Sequence, residues 1–350
     1  MTRFMHVRNS NNKLKRLIII TLILVGLVSC GRGSSKEIEI LRFEQVLFET
    51  PAEQLPAELQ KFATNYRSPL LPIYADDANY MSQLGQFIAD PTVRDIYEIT
   101  NKQYNDLGWL ERELGEALGK ATDIDDEIDI EHFATYISGL SDYEDRIAVD
   151  RESGSVRISL DHYAVGGMEK YSYFGMPMYI VGLCDSAYLA SDIMAAIARQ
   201  YVAMPEENTQ TQSSTQAFKH SSNQTITLLD IMISEGKVLY FLDQVMPKKD
   251  DALKMRYSEE QMEWMRRNES NVWAYFIQNN LLYEKDFSRY HNFVDEAPKT
   301  NAFKDSAPRT PQYIGWQIVR KYMERTKCSM KELFANTDSQ AILQASQYKP

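Results

Sequence analysis

The chain has 350 residues, a formal net charge of −11 and three cysteines. Its first 29 residues hold five basic and no acidic side chains, so residues 30–350 carry 33 Lys+Arg against 49 Asp+Glu, a net charge of −16. That sign argues against nucleic acid and anionic head groups as partners, and 44 % hydrophobic residues provide for a large packed core in one domain or two.

At the N-terminus Arg3, Arg8, Lys13, Lys15 and Arg16 precede an apolar run over 17–28, interrupted only by Thr21 and Gly26. This is the charge and hydropathy pattern of a secretory signal. The run is too short to span a bilayer comfortably, which takes roughly 20 residues. It ends in Leu27-Val28-Ser29-Cys30, followed by Gly31-Arg32-Gly33-Ser34-Ser35, which resembles the lipobox and tether of bacterial lipoproteins. The resemblance implies removal of residues 1–29, a diacylglycerol on Cys30, a tether over 30–36 and a periplasm-facing domain over 37–350. Gly31, where enteric inner-membrane lipoproteins carry an aspartate, favours the outer membrane over the inner. Beyond the anchor only Cys184 and Cys328 remain, expected as buried free thiols because the sequence gives no reason to place them within disulfide distance.

Polar and apolar residues alternate at the start of 37–48, which predicts a short strand. Helices are expected over 51–66, 76–88 and 101–118, the last with Leu107, Leu110, Leu114 and Leu118 at spacings of three and four. The acidic run Asp123-Ile124-Asp125-Asp126-Glu127 lacks the glycine and spacing of a calcium loop and is expected at a solvated helix entrance. Two β-type runs between Arg146 and Leu160, separated by Arg151-Glu152-Ser153-Gly154-Ser155, predict a hairpin. Helices over 191–202 and 225–244 flank a Gln/Ser/Thr-rich loop reaching Gln224. A long helix over 258–282 opens on Ser258 and Gln261, which fit a capping box. A proline-marked loop over 298–311 then leads to a last amphipathic helix over 315–326. Trp264, Trp273, Tyr275 and Phe276, and likewise Trp316, Val319 and Met323, read as packing faces. The expected fold is α+β, predominantly α-helical, in one domain.

The 225–244 helix carries the functional question. On a 100° wheel Glu235 sits mid-stripe among Leu228, Ile231, Met232, Val238, Leu239 and Leu242, all within about 60° of it. A carboxylate there must be paired, protonated or bound to something. Arg199 and Arg320 are the candidate partners, while Asp230, Ser234 and Lys237 fall on the opposite, solvated face. A zinc site would need histidines at i and i+4 on the preceding helix. None of His6, His132, His162, His220 and His291 has that spacing, and the helix offers Asp192, Ile193 and Ala196 instead. No phosphate loop, nucleophile elbow or Cys-x-x-Cys pair is present, so no catalytic residue, metal or cofactor is assigned.

The segments TLLDIMISEGKVLYFLDQVMP (227–247), YSEEQMEWMRRNESNVWAYFIQNNLLYEKD (257–286) and YIGWQIVRKYM (313–323) resemble the GldB-type gliding-motility lipoproteins of the Bacteroidetes. RFEQVLFE near Arg42 and Tyr-Ile-Ser-Gly at 136–139 agree more loosely. The resemblance implies an envelope lipoprotein associated with gliding and type IX secretion, with protein partners and no enzymatic activity. More distantly, Leu228, Leu229, Asp230, Glu235 and Gly236 are similar to the Leu-Leu-Asp-x-x-x-x-Glu-Gly segment of putative zinc peptidases. That likeness implies a zincin-like domain without its histidines, retaining Glu235 as a relic or as part of a binding groove; Glu235, Arg199, Arg320 and Asp230 are the candidate buried polar or groove residues. A hydrolase pairing Glu235 with Asp192, or a small-molecule-binding lipoprotein, is the alternative; either needs an open cleft or a deep apolar pocket.

Overall fold

A computed structural model describes residues 35–141, 143–164, 176–205 and 226–350. The signal segment, Cys30, most of the tether and the Gln/Ser/Thr-rich loop lie outside the described residues. Helix predominates around one small sheet, an α+β architecture.

Strand β1 (Ile40–Arg42) is shorter than the alternation over 37–48 suggests, and helix α1 (Phe43–Glu49) follows it directly. The reason is a change of period: Phe43 and Leu47 recur at i and i+4 and are both buried, which overrides the alternation before them. Helices α2 (Leu55–Tyr66) and α3 (Ala78–Ala89) lie where expected. The helix expected over 101–118 is two: α4 (Pro91–Gln103) and α5 (Gly108–Ile124). Asp90 caps the Thr92 and Val93 amides and Pro91 occupies the first turn, a start signal that the leucine spacing further on obscures. Because α5 ends at Ile124, the acidic run lies at a helix exit rather than an entrance, where Glu127 pairs with Arg151 and Lys331.

The sheet has the order β1-β2-β4-β3, with β2 (His132–Tyr136), β3 (Ile147–Asp150) and β4 (Ser155–Ser159). Parallel β1, β2 and β4 align Ile40, Phe133 and Val156, and the expected hairpin pairs Ile147 with Ile158 antiparallel at the edge. Strand β2 gave no clear signal because His-Phe-Ala-Thr-Tyr holds too short an alternation to separate from a loop. Both central strands are largely buried, as strands covered on two faces must be.

After short α6 (Met178–Val181) come α7 (Ser186–Arg199) and α8 (Leu228–Val245), then α9 (Asp251–Met255), α10 (Glu259–Gln278) and α11 (Phe287–Val294). Both halves of the Ser258–Gln261 capping box are formed. Helix α12 (Thr310–Thr326) is not the last: α13 (Met330–Ala335) and α14 (Ser339–Ser346) follow, opened by Ser329 and Asp338 caps. This corrects the reading of α8. With α12, α13 and α14 packed on it, α8 is buried on nearly every side; of the three residues expected on the solvated face Lys237 is buried, while Asp230 and Ser234 stay partly exposed. Gly236 and Gly315 bring α8 and α12 into backbone contact. A Cβ on Gly315 would lie 1.8 Å from the Met232 carbonyl oxygen, and one on Gly236 2.4 Å from the Gly315 carbonyl oxygen. Of the aromatics expected as packing, Phe276 and Trp316 are fully buried and Trp264, Trp273 and Tyr275 partly so. Among the described residues no helix is long and apolar enough to cross a membrane.

Candidate functional site

Helix α8 starts at a reciprocal cap. The Thr227 hydroxyl receives the Asp230 amide, and the Asp230 carboxylate receives the Thr227 amide at 2.8 Å and its hydroxyl at 2.6 Å. Asp230 is therefore occupied at the helix N-terminus, away from any groove around Glu235. Further along the helix, Glu235 is 4 % exposed and meets the C-terminal end of α7, where Arg199 holds it bidentately. Arg199 Nε donates to Oε1 at 3.1 Å and Nη2 to Oε2 at 2.8 Å. Burial pushes the Glu235 pKa up, but the Arg199 charge and hydrogen bonds outweigh it and hold the carboxyl below 4.5.

The other candidate partner, Arg320, is engaged elsewhere. Its Nε and Nη2 reach Asp243 at 2.7 and 2.9 Å, and its guanidinium lies 3.6 Å from the Trp316 ring centroid. Asp243 stands near the end of α8, shortly before the Asp250 cap of α9, so Arg320 on α12 clamps that corner rather than Glu235. Lys237 is 2 % exposed, and its Nζ donates to the Asn336 carbonyl at 2.6 Å, satisfying the end of α13. Burial lowers its pKa to about 8, with Asp230 partly opposing the shift.

Asp192 does not join Glu235 in a cleft. It lies in a second buried polar cluster that sequence reasoning did not anticipate. Its Oδ2 accepts the Tyr163 hydroxyl at 2.7 Å, Arg146 Nη2 at 3.5 Å and Arg256 Nη1. Arg256 Nη2 also donates to the Tyr143 hydroxyl at 2.7 Å and the Leu183 carbonyl at 3.1 Å. Arg309 Nη2 bonds the Met255 carbonyl at 2.6 Å, and Glu296 stands 3.9 Å from Arg256 Nε. These groups come from separate stretches of chain with no shared spacing. The one available signal was Asp192, a charged residue in an otherwise apolar stretch of helix before Arg199.

Cys184 and Cys328 are free thiols. Cys184 is buried and its thiol is pushed up to about 11 by that burial, while Cys328 is only half-buried against Met323, with Sγ–Sδ at 3.4 Å.

Zinc, implied by the peptidase likeness, does not fit this site. Ile193 and Ala196 offer no donor, both nearby carboxylates are taken up by guanidinium groups, and the surrounding arginines disfavour a cation. Among the described residues no three His, Cys, Asp or Glu side chains converge as metal ligands. Two surface depressions, of about 480 Å³ beside Tyr240 and Cys328 and about 600 Å³ between Gln60 and Asp77, are lined by neither Glu235 nor Asp192.

The family model described as gliding motility protein GldB matches residues 32–350, and the chain belongs to that family. No curated protein and no solved structure matches the chain.

Proposed function

We propose that the protein is a lipid-anchored component of the cell envelope that serves gliding motility, or the secretion machinery linked to it, as a non-catalytic partner-binding scaffold. In this reading residues 1–29 are removed, Cys30 carries the lipid, 30–36 form the tether, and 37–350 fold as one domain facing the periplasm from the outer membrane. The domain is a zincin-like frame in which the Glu235–Arg199 pair stands where a metal site would be. Family membership over residues 32–350 supports the process. The observation that carries the non-catalytic role is Glu235, buried and bonded through both oxygens to Arg199. A general base must reach a substrate proton, and among the described residues this carboxylate is hydrogen-bonded to Arg199 through both oxygens.

Affinity capture from the native envelope tests the reading, with Cys30→Ala as the unanchored control. Recovery of motility or secretion proteins by the anchored form alone is expected. Recovery of no envelope protein under mild solubilisation would count against a scaffold, and Glu235-dependent hydrolysis by the purified protein would establish the hydrolase instead.

A further inference from the structure

The cluster around Asp192 contains more guanidinium than its internal partners use. Arg256 and Arg309 are 6 % and 8 % exposed, and the Nε of each is buried without a hydrogen-bond partner among the described residues. Glu296 Oε1 stands 3.9 Å from Arg256 Nε, well beyond the roughly 2.7–2.9 Å of a direct guanidinium–carboxylate bond. Glu296 feels the charges of Arg256, Arg309 and Arg146 together, which outweigh the effect of its burial and hold its carboxyl below 4.5. It thus lies in the field of three arginines, held also by Tyr143, and stands 3.9 Å from Arg256 Nε.

Access runs through the same residue. The Glu296 side chain is 28 % exposed, against 6 % for Arg256 and 15 % for Arg146. It lies on the non-helical stretch after α11, where its backbone carbonyl accepts the Tyr179 hydroxyl at 3.3 Å. Moving this side chain outward exposes Arg256 Nε while Asp192, Tyr143 and Leu183 keep the rest of that guanidinium in place. Arg309 braces the other side through the Met255 and Arg256 carbonyls.

We infer that Arg146, Arg256 and Arg309 form a carboxylate-binding site, in which Glu296 is an internal occupant that the carboxylate of a bound partner replaces. The unpartnered Nε–H groups of Arg256 and Arg309 offer charge-assisted donors suited to carboxylate oxygens. The exchange is also like for like in charge, whereas a phosphate dianion would face Asp192 at close range. Assigning the ligand to a partner rests on the scaffold reading; the existence of the site does not.

Titration calorimetry on detergent-solubilised full-length protein tests it, with N-acetyl-Ala-Ala, its C-terminal amide and acetate as probes. Glu296→Gln removes the competing charge and is expected to tighten binding of the free-carboxylate dipeptide at least tenfold, with no binding of the amide. Adding Arg256→Lys should reverse the gain. Preference for the dipeptide over acetate identifies a chain terminus as the ligand, and equal binding identifies a small free carboxylate; both uphold the site. Unchanged affinity in Glu296→Gln with unchanged thermal stability, or equal binding of acid and amide, overturns it. Glu296→Gln carries the test alone if the double variant does not fold, and failed partner capture with successful titration would reject the scaffold and leave the site.

Discussion

At the residue scale the Glu235–Arg199 pair is asymmetric, and the asymmetry decides which partner is the more costly to remove. Glu235 is almost wholly buried, whereas solvent reaches 32 % of the Arg199 side chain. Arg199→Ala strands a carboxylate away from water and is expected to cost about 3–5 kcal/mol. In Glu235→Gln the arginine keeps a neutral acceptor and a path to solvent, so the cost should be only about 1–2 kcal/mol. Urea denaturation of the two variants checks the order. The folded pKa of Glu235 lies below its ordinary 4.5, so the pair's contribution is complete above that pH and is lost as pH falls through the folded value. Glu235→Gln should therefore lose stability less steeply below pH 4.5 than the wild type. Lys237 shifts stability with pH in the same direction but in the alkaline range. Its pKa is about 8 folded against 10.5 unfolded, so between those values the unfolded chain binds more protons and stability rises with pH. The contribution is at most about 3 kcal/mol. It should appear as the difference between wild type and Lys237→Met in denaturation from pH 7.5 to 10.5; identical slopes would show that the amine keeps its unfolded pKa and stays protonated in the core. Glu235 was legible because a wheel places it on an apolar stripe. The burial of Lys237 was not, because the same wheel cannot see a helix that packs on the other side.

At the element scale the fold depends on how closely α8 and α12 approach. Two glycines remove the side chains between them, and neither adopts a positive φ, so proximity rather than backbone conformation is the constraint. Gly315→Ala gains about 1 kcal/mol of helix propensity. It also forces a methyl group into the Met232 carbonyl, and a backbone atom of a buried helix has little freedom to move. Overpacking wins, with an expected net loss of about 2–3 kcal/mol. Gly85→Ala on α3 is the control: nothing lies within 4 Å of the added carbon, so only the propensity gain remains. Opposite shifts in melting temperature are expected, and a stable Gly315→Ala would mean that the helices stand further apart. Helices with a cap and a periodic face were legible, as Ser258 and Gln261 show for α10. Less legible were α4, which a short break separates from its successor, and α13 and α14, whose faces are too short for a period although Ser329-x-x-Glu332 announces a cap.

At the scale of the whole molecule, the proposed reading separates the residue that decides where the protein works from those that hold it together. Glu235, Asp192 and the α8–α12 contact lie deep in a domain with no described helix able to span a bilayer, and an acidic surface gives no attraction to anionic lipid. Membrane attachment in the proposed reading then rests on Cys30 alone. A single acyl chain binds only marginally, while the two or three on a lipidated cysteine, at about 0.8 kcal/mol per buried methylene, make dissociation negligible. Cys30→Ala should accordingly shift the protein from the membrane pellet to the soluble fraction almost completely, rather than by a partial redistribution. Because the tether and the core share no residues in this scheme, the soluble variant should melt at the same temperature as the detergent-solubilised parent. Retention of the variant on membranes after a high-salt wash would point to a second, protein-mediated attachment. The carboxylate-binding cluster would then be the first place to look, since Glu296→Gln should strengthen such an attachment and Arg256→Lys weaken it.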